Sequence, residues 1–211
     1  MSTSQTKNGG IRQKNQKMIL KAAEEEFEKY GFGGARMQRI ADRADLPKAN
    51  IHYYYKNKSE LYQAVLSGVV KLWNDAFDRI DINDAPNEAL ELYIRTKLEY
   101  SRTNPAAARI FSNEVISGAP HLRKYLRTEL RLWVSERAGV IQHWIDEGKV
   151  DAVDPYHLIF LIWGATQHYA DYNAQITSIL GRNRLSKKDY QQVGDSLVHI
   201  ILKGCGLKEP L

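Results

Sequence analysis

The chain has 211 residues, 43% of them apolar, with a single cysteine and a net charge of +5. That is enough apolar material for a sizeable core, while one cysteine excludes an internal disulfide or a cysteine-rich metal site. No run approaches the roughly 18 consecutive apolar residues of a membrane span, and the polar start MSTSQTKNGG lacks the apolar middle of a secretory signal. The expectation is a cytoplasmic protein with no membrane partner.

The charge is unevenly placed. Residues 1–60 carry 12 Lys or Arg against 7 Asp or Glu, which is the whole of the net +5, and the remaining acids and bases cancel. A basic head on a neutral body is the footprint of a protein that holds a polyanion. A solubilising charged surface would give the same count, so charge alone does not decide it.

The rhythm is helical almost throughout, with no convincing alternating run, and predicts an all-α fold of about nine helices. From Lys14 to Tyr30, apolar Met18, Ile19, Ala22, Ala23 and Phe27 recur at helical spacing, and Gly31, Gly33 and Gly34 are expected to stop that helix. Short helices over 37–44 and 48–54 flank a break at Asp45-Leu46-Pro47. Ile40, Ala41 and Ala44 on the first meet Leu46 and Ile51 from beyond the break, and the small Ala41 and Ala44 permit the close crossing of a helix-turn-helix. Asp45 falls where the chain turns with positive φ. The second short helix leaves Lys48, Asn50, His52, Tyr53 and Tyr54 outside these contacts. They are donors and rings suited to base edges, thymine methyls and phosphates. An ordinary helical hairpin with exposed tyrosines is the plainer alternative.

Asn57 and Glu60 stand three apart, the arrangement of a capping box, and open a long amphipathic helix through Leu61, Val65, Leu66, Val69, Trp73, Phe77 and Ile80. Further breaks fall within 83–87, 104–105, 118–120, 146–155 and 181–186, three of which put a proline just inside a helix start. The expected division is a helix-turn-helix DNA-binding domain over 1–60 and a ligand-binding and dimerisation domain over 61–211.

The second part carries all four tryptophans, Trp73, Trp133, Trp144 and Trp163. Its segment HLIFLIWGATQHYADY, residues 157–172, sets Gln167, His168 and Asp171 in an otherwise apolar helix, and Trp163, Gln167 and Asp171 share one face at i, i+4, i+8. Polar groups so placed need partners, either a small polar ligand between helices or neighbouring helices and water. The last helix carries Val193, Leu197, Ile200, Ile201 and Gly204 on one side. With the 157–177 helix it suits half of an intermolecular four-helix bundle; an internal core helix would show the same stripe. A small helical enzyme acting through Asp171, His168 or Glu114 competes with the regulator reading. No cofactor loop and no metal-ligand spacing supports it, and the six histidines are scattered. No catalytic residue, metal or cofactor is therefore expected. A ligand-free architectural DNA-binding protein is the other alternative.

Residues 31–61, GFGGARMQRIADRADLPKANIHYYYKNKSEL, resemble the helix-turn-helix of the TetR family of bacterial regulators. They depart from its usual pattern at Asp45, Pro47 and His52. The resemblance implies a homodimer whose recognition helices enter successive major grooves of a near-palindromic double-stranded operator, about 34–36 Å apart. By position it places Lys48, Asn50 and Tyr53 at bases, with Gln38 reaching from the preceding helix, and Arg36, His52, Tyr54 and Lys58 at phosphates. YIRTKLEYSRTNPAAARIF at 93–111, ISGAP at 116–120 and HLIFLIWGATQHYAD at 157–171 resemble the pyrimidine-utilisation branch of that family. This implies a nucleoid-associated regulator, a repressor by family default, relieved by uracil or thymine and governing pyrimidine or related nitrogen metabolism. Gln167 would then satisfy a donor–acceptor pair of the ring, with Asp171 on the same face, and Trp163, Trp73 or Phe77 would cover it. Lys97 or Arg95 would meet a carbonyl, unless both are solvated surface positions.

Overall fold

The computed structural model describes residues 3–74, 77–78 and 80–208, the backbone alone over 3–9. Among them are eleven helices: α1 Thr3–Gly34, α2 Met37–Arg43, α3 Lys48–Tyr54, α4 Lys58–Asn74, α5 Pro86–Thr103, α6 Pro105–Ile116, α7 Arg123–Arg127, α8 Glu129–Asp146, α9 Pro155–Asp171, α10 Asn173–Ile179 and α11 Lys187–Gly204. No strand occurs among the described residues, as the helical rhythm predicts.

Nine expected helices become eleven because two of them are interrupted. Thr128, with φ −113 and ψ −84, separates α7 from α8, and its hydroxyl donates to the Lys124 carbonyl at 2.9 Å. Tyr172 separates α9 from α10. The first helix starts earlier than expected and passes through Gly31, where φ 62 and ψ 176 break the helical path before it resumes to Gly34. The fourth helix ends earlier than expected. The N–H groups of Phe77 and Asp78 both donate to the Asn74 carbonyl, which makes a turn. Residues 75, 76 and 79 of the expected longer helix lie outside the described residues.

The chain divides by packing into two compact units, Met1–Val69 with Arg109–Leu122, and Val70–Ala108 with Arg123–Leu211. The core of the first holds Ile19, Phe27, Ile40, Ile51 and Leu61, each essentially inaccessible. Burying one such side chain contributes about 1.5–3 kcal/mol. Between α2 and α3 the Ala44 N–H closes on the Ile40 carbonyl, Asp45 takes φ 51, and the Leu46 N–H returns to the Ala41 carbonyl at 3.1 Å. The turn thus has the positive φ expected at Asp45, in a region that Asp tolerates better than most residues. Asn57 caps α4 by accepting the Glu60 N–H at 2.9 Å, but the Glu60 carboxylate accepts from the Lys56 N–H at 3.0 Å rather than from the cap residue. The capping box is therefore shifted by one residue on its return arm.

The same unit includes the end of α6. Buried Glu114 accepts the N–H groups of His121 at 2.6 Å and Leu122 at 3.3 Å, which folds residues 117–122 back through Gly118 and Ala119, both at positive φ. Arg109 pairs with Glu28 of α1. His121 lies against the rings of Phe32 and Tyr62, with centroids at 4.2 and 5.0 Å.

In the second unit α5 packs on α9 and α11 around Phe77, Tyr93, Ile94, Trp144, Ile159 and Leu202. Asp154 caps α9 by accepting the His157 N–H at 2.9 Å. Ser186 and Asp189 form a full capping box at the start of α11. The stripe on α11 faces two ways: Ile201 is buried, whereas Ile200 is 63% exposed. Exposed Tyr156, Phe160 and Leu161 on α9 leave a second apolar face open.

Candidate nucleic-acid interface and effector site

α3 turns Ile51 fully inward and Lys48, Asn50, His52 and Tyr53 outward. Tyr53, at 74% exposure, holds a large ring in solvent and meets Tyr54 edge-on at 5.3 Å. Tyr54 is half-buried, and His52 Nδ1 lies 3.3 Å from the Lys56 carbonyl. On α2 the exposed Gln38 donates from Nε2 to Asp42 at 2.8 Å. Arg36, just before α2, has an exposed side chain. One face of α2–α3 therefore gathers Arg36, Gln38, Lys48, Asn50, His52 and Tyr53.

Lys58 behaves differently. Its ammonium donates to the carbonyls of Ala35 at 3.0 Å and Gly33 at 3.4 Å, and lies 4.7 Å from the Phe32 ring centroid. It neutralises the carbonyl end of α1, where a cation is favoured.

The sequence reading missed Glu26. Wholly buried on α1, it accepts the backbone N–H of Arg36 at 3.1 Å and Arg39 Nε at 2.6 Å, while Arg43 lies 3.7 Å from its other oxygen. This carboxylate fixes the start of α2 and with it the orientation of the outward face. Its spacing from Ala22 and Ala23 is the available signal, since i+3 and i+4 share a helix face.

The second cluster lies on α4, α5, α8 and α9. Lys97 is 3% exposed. Its ammonium sits 4.2 Å from the Trp73 ring centroid and 5.9 Å from that of Trp163, within cation–π range of both. Burial pushes the Lys97 ammonium down to about 7, against the opposing pull of the Asp171 charge. The Trp163 indole N–H donates to the Tyr93 hydroxyl at 2.5 Å. Tyr93 in turn stacks on Phe77 at 4.1 Å, and burial raises its hydroxyl. Trp133 lies 6.4 Å from Trp163 and 5.8 Å from Phe77. Gln167 and Asp171, one and two turns beyond Trp163, are half-buried. Tyr93 and Trp133 escaped the sequence reading, although Tyr93 stands at i−4 from Lys97. The two cations weighed together on α5 part company: Arg95 is held by Glu91 at 2.6 Å and Asp195 at 2.8 Å, and Lys97 is enclosed.

The other polar candidates have structural employment. Glu114 holds the 117–122 segment, and exposed His168 stacks on Tyr172 at 4.7 Å. Among the described residues no group of His, Cys, Asp and Glu has the arrangement of a metal site, and no helix is long and apolar enough to cross a membrane.

Residues 19–65 match the family described as "Bacterial regulatory proteins, tetR family", and residues 66–208 match "YcdC-like protein, C-terminal region". The chain is 38% identical to the HTH-type transcriptional regulator RutR of Escherichia coli strain K12, covering 89% of each chain. It is 30% identical to the HTH-type transcriptional repressor NicS of Pseudomonas putida strain KT2440, over 69% of this chain and 70% of that one. A bacterial regulatory protein of the tetR family from Rhodococcus RHA1 superposes with a TM-score of 0.74 at 18% identity, covering 92% of this chain and 98% of that one, which shows the shared fold. These relatives are transcription regulators, and the enzyme reading of Asp171, His168 or Glu114 falls with them. The chain therefore belongs to the TetR family of DNA-binding transcription regulators, dimeric proteins that answer small-molecule effectors, in the branch that includes RutR.

Proposed function

We propose that the protein is a cytoplasmic repressor whose grip on a near-palindromic operator is relieved by a pyrimidine dione, uracil or thymine, in the control of pyrimidine or related nitrogen metabolism. In this reading residues 1–60 bind DNA, and residues 61–211 bind the effector and the second subunit. Lys48, Asn50 and Tyr53, with Gln38, read bases; Arg36, His52, Tyr54 and Lys58 meet phosphates. The outward placement of six of these eight on one face supports it. The exposed rings of Tyr156 and Phe160 on α9, with Ile200 on α11, support the homodimer face.

The observation that carries the effector reading is the buried Lys97 within its aromatic surround. Lys97 and Trp163 lie in the two segments, 93–111 and 157–171, that resemble the pyrimidine-utilisation branch. A flat ring with alternating N–H and C=O groups matches an ammonium, an amide, a carboxylate and indole faces set within a few turns of each other. Titration calorimetry of the purified protein with uracil and with thymine tests it. Saturable heat at about one ligand per chain supports the reading, and no heat with either compound rejects it.

A further inference from the structure

The cluster around Lys97 is more specific than an aromatic pocket. The ammonium lies over the face of Trp73, so that face is occupied, and Phe77 is stacked against Tyr93 with no exposed surface. The ring of Trp163 is oriented by its hydrogen bond to Tyr93. What remains polar toward this space is a cation on α5 and a carboxylate on α9 whose Oδ1 is shielded from solvent.

Resting on the effector reading above, we propose that Lys97 and Asp171 together read one –NH–C(=O)– edge of a neutral flat ring. The Lys97 ammonium donates to the carbonyl oxygen and the Asp171 carboxylate accepts from the ring N–H, so the effector class is cyclic imides and lactams, and their binding takes up a proton.

The charged groups around α5 leave this pair as the reading element. On α9, Asp171 acts electrostatically on Lys97. On α11, Asp195 is committed to Arg95, which also binds Glu91 on α5 itself. Glu99 pairs with Arg102, and the one tyrosine hydroxyl a turn before Lys97, that of Tyr93, accepts from Trp163. A neutral ring bringing an acceptor to the ammonium and a donor to the carboxylate leaves the summed charge of the pair unchanged. A carboxylate-bearing ligand would set a second anion beside Asp171, which is unfavourable in a desolvated site. With the amine held near 7, most free sites at pH 8 contain uncharged Lys97, and a ligand carbonyl favours its protonated form.

The test is calorimetry with uracil at pH 8 in two buffers of different ionisation enthalpy, repeated between pH 6.5 and 8.5. Uptake approaching one proton per ligand, with affinity falling toward about tenfold per pH unit at the upper end, is expected. Lys97→Met should remove both the uptake and the pH dependence, and 1,3-dimethyluracil, which lacks a ring N–H, should not bind. Uracil binding without proton uptake, or with wild-type affinity in Lys97→Met, overturns this proposal and leaves the pyrimidine reading intact. Absence of uracil binding at every pH overturns both.

Discussion

The carboxylate of Glu26 accepts Arg39 Nε at 2.6 Å while the same oxygen accepts the backbone N–H of Arg36 at 3.1 Å. One buried atom on α1 thereby holds the first residue before α2 and a residue on its first turn. Glu26→Ala leaves that N–H without its acceptor and the guanidinium without its charge partner, at a cost of about 2–3 kcal/mol. Urea unfolding should show this loss. Operator affinity measured by fluorescence anisotropy should drop more than it does for Glu25→Ala, whose exposed pairing with Arg43 contributes at most about 1 kcal/mol.

Lys48 and Lys58 should separate in a paired measurement. Lys48 is exposed and makes no folded-state contact that its loss would weaken, so Lys48→Ala should change stability by less than about 0.5 kcal/mol while altering the preference among operator bases. Lys58→Ala removes the cation from two α1 carbonyls and the face of Phe32. It should weaken binding to all sequences alike and also lower the melting temperature. Unchanged stability in Lys58→Ala would mean that the clamp contributes nothing in solution.

Much of the first unit is legible because its determinants are close in sequence. Ile40, Ala41, Ala44 and Ile51 declare the α2–α3 contact by spacing, and Asp45 declares the turn by standing between them. Lys58 and Glu26 are legible only in type. Their partners lie 23 and 10 residues away, and no periodicity reports which way a long side chain reaches. The breaks at Thr128 and Tyr172 are hidden for another reason: neither residue forbids a helix, and the apolar pattern runs on past both. Lys97 reads as a surface cation because its burial is made by α4 and α9, distant segments that only the tertiary packing brings to it.

Lys97→Met should stabilise the protein, and the size of the gain should depend on pH. The folded-state value near 7 lies below the ordinary 10.5, so the unfolded chain binds the extra proton between them. The penalty of the buried ammonium is therefore complete below about pH 7 and shrinks as pH rises toward 10.5. Thermal melts should show Lys97→Met ahead by about 1–2 kcal/mol at pH 6.5 and by less at pH 8.5. Staying at or below pH 8.5 avoids the titration of Cys205 and Tyr93, both of which burial shifts upward.

Gly206 closes α11 at φ 72, and a Cβ built there would stand 2.4 Å from the Asp151 carboxylate, whose backbone N–H donates to the Cys205 carbonyl. Gly206→Ala should cost about 1–3 kcal/mol. Adding Asp151→Ala should recover the part due to the clash and leave the part due to backbone strain. Full recovery in the double variant would show that the left-handed conformation itself costs nothing at this position.

The interruption at Gly31 resets the phase of the first helix. In an unbroken helix Phe27 and Phe32, five positions apart, would point about 140° away from each other. Here their rings lie 6.4 Å apart and nearly parallel, and both reach Tyr62, at 4.8 and 5.1 Å. One residue without a side chain thus turns a helix that could bury a single narrow stripe into one that delivers two rings to the same place. A substitution at Gly31 would be felt less as a local bend than as the loss of an aromatic assembly whose members never touch residue 31.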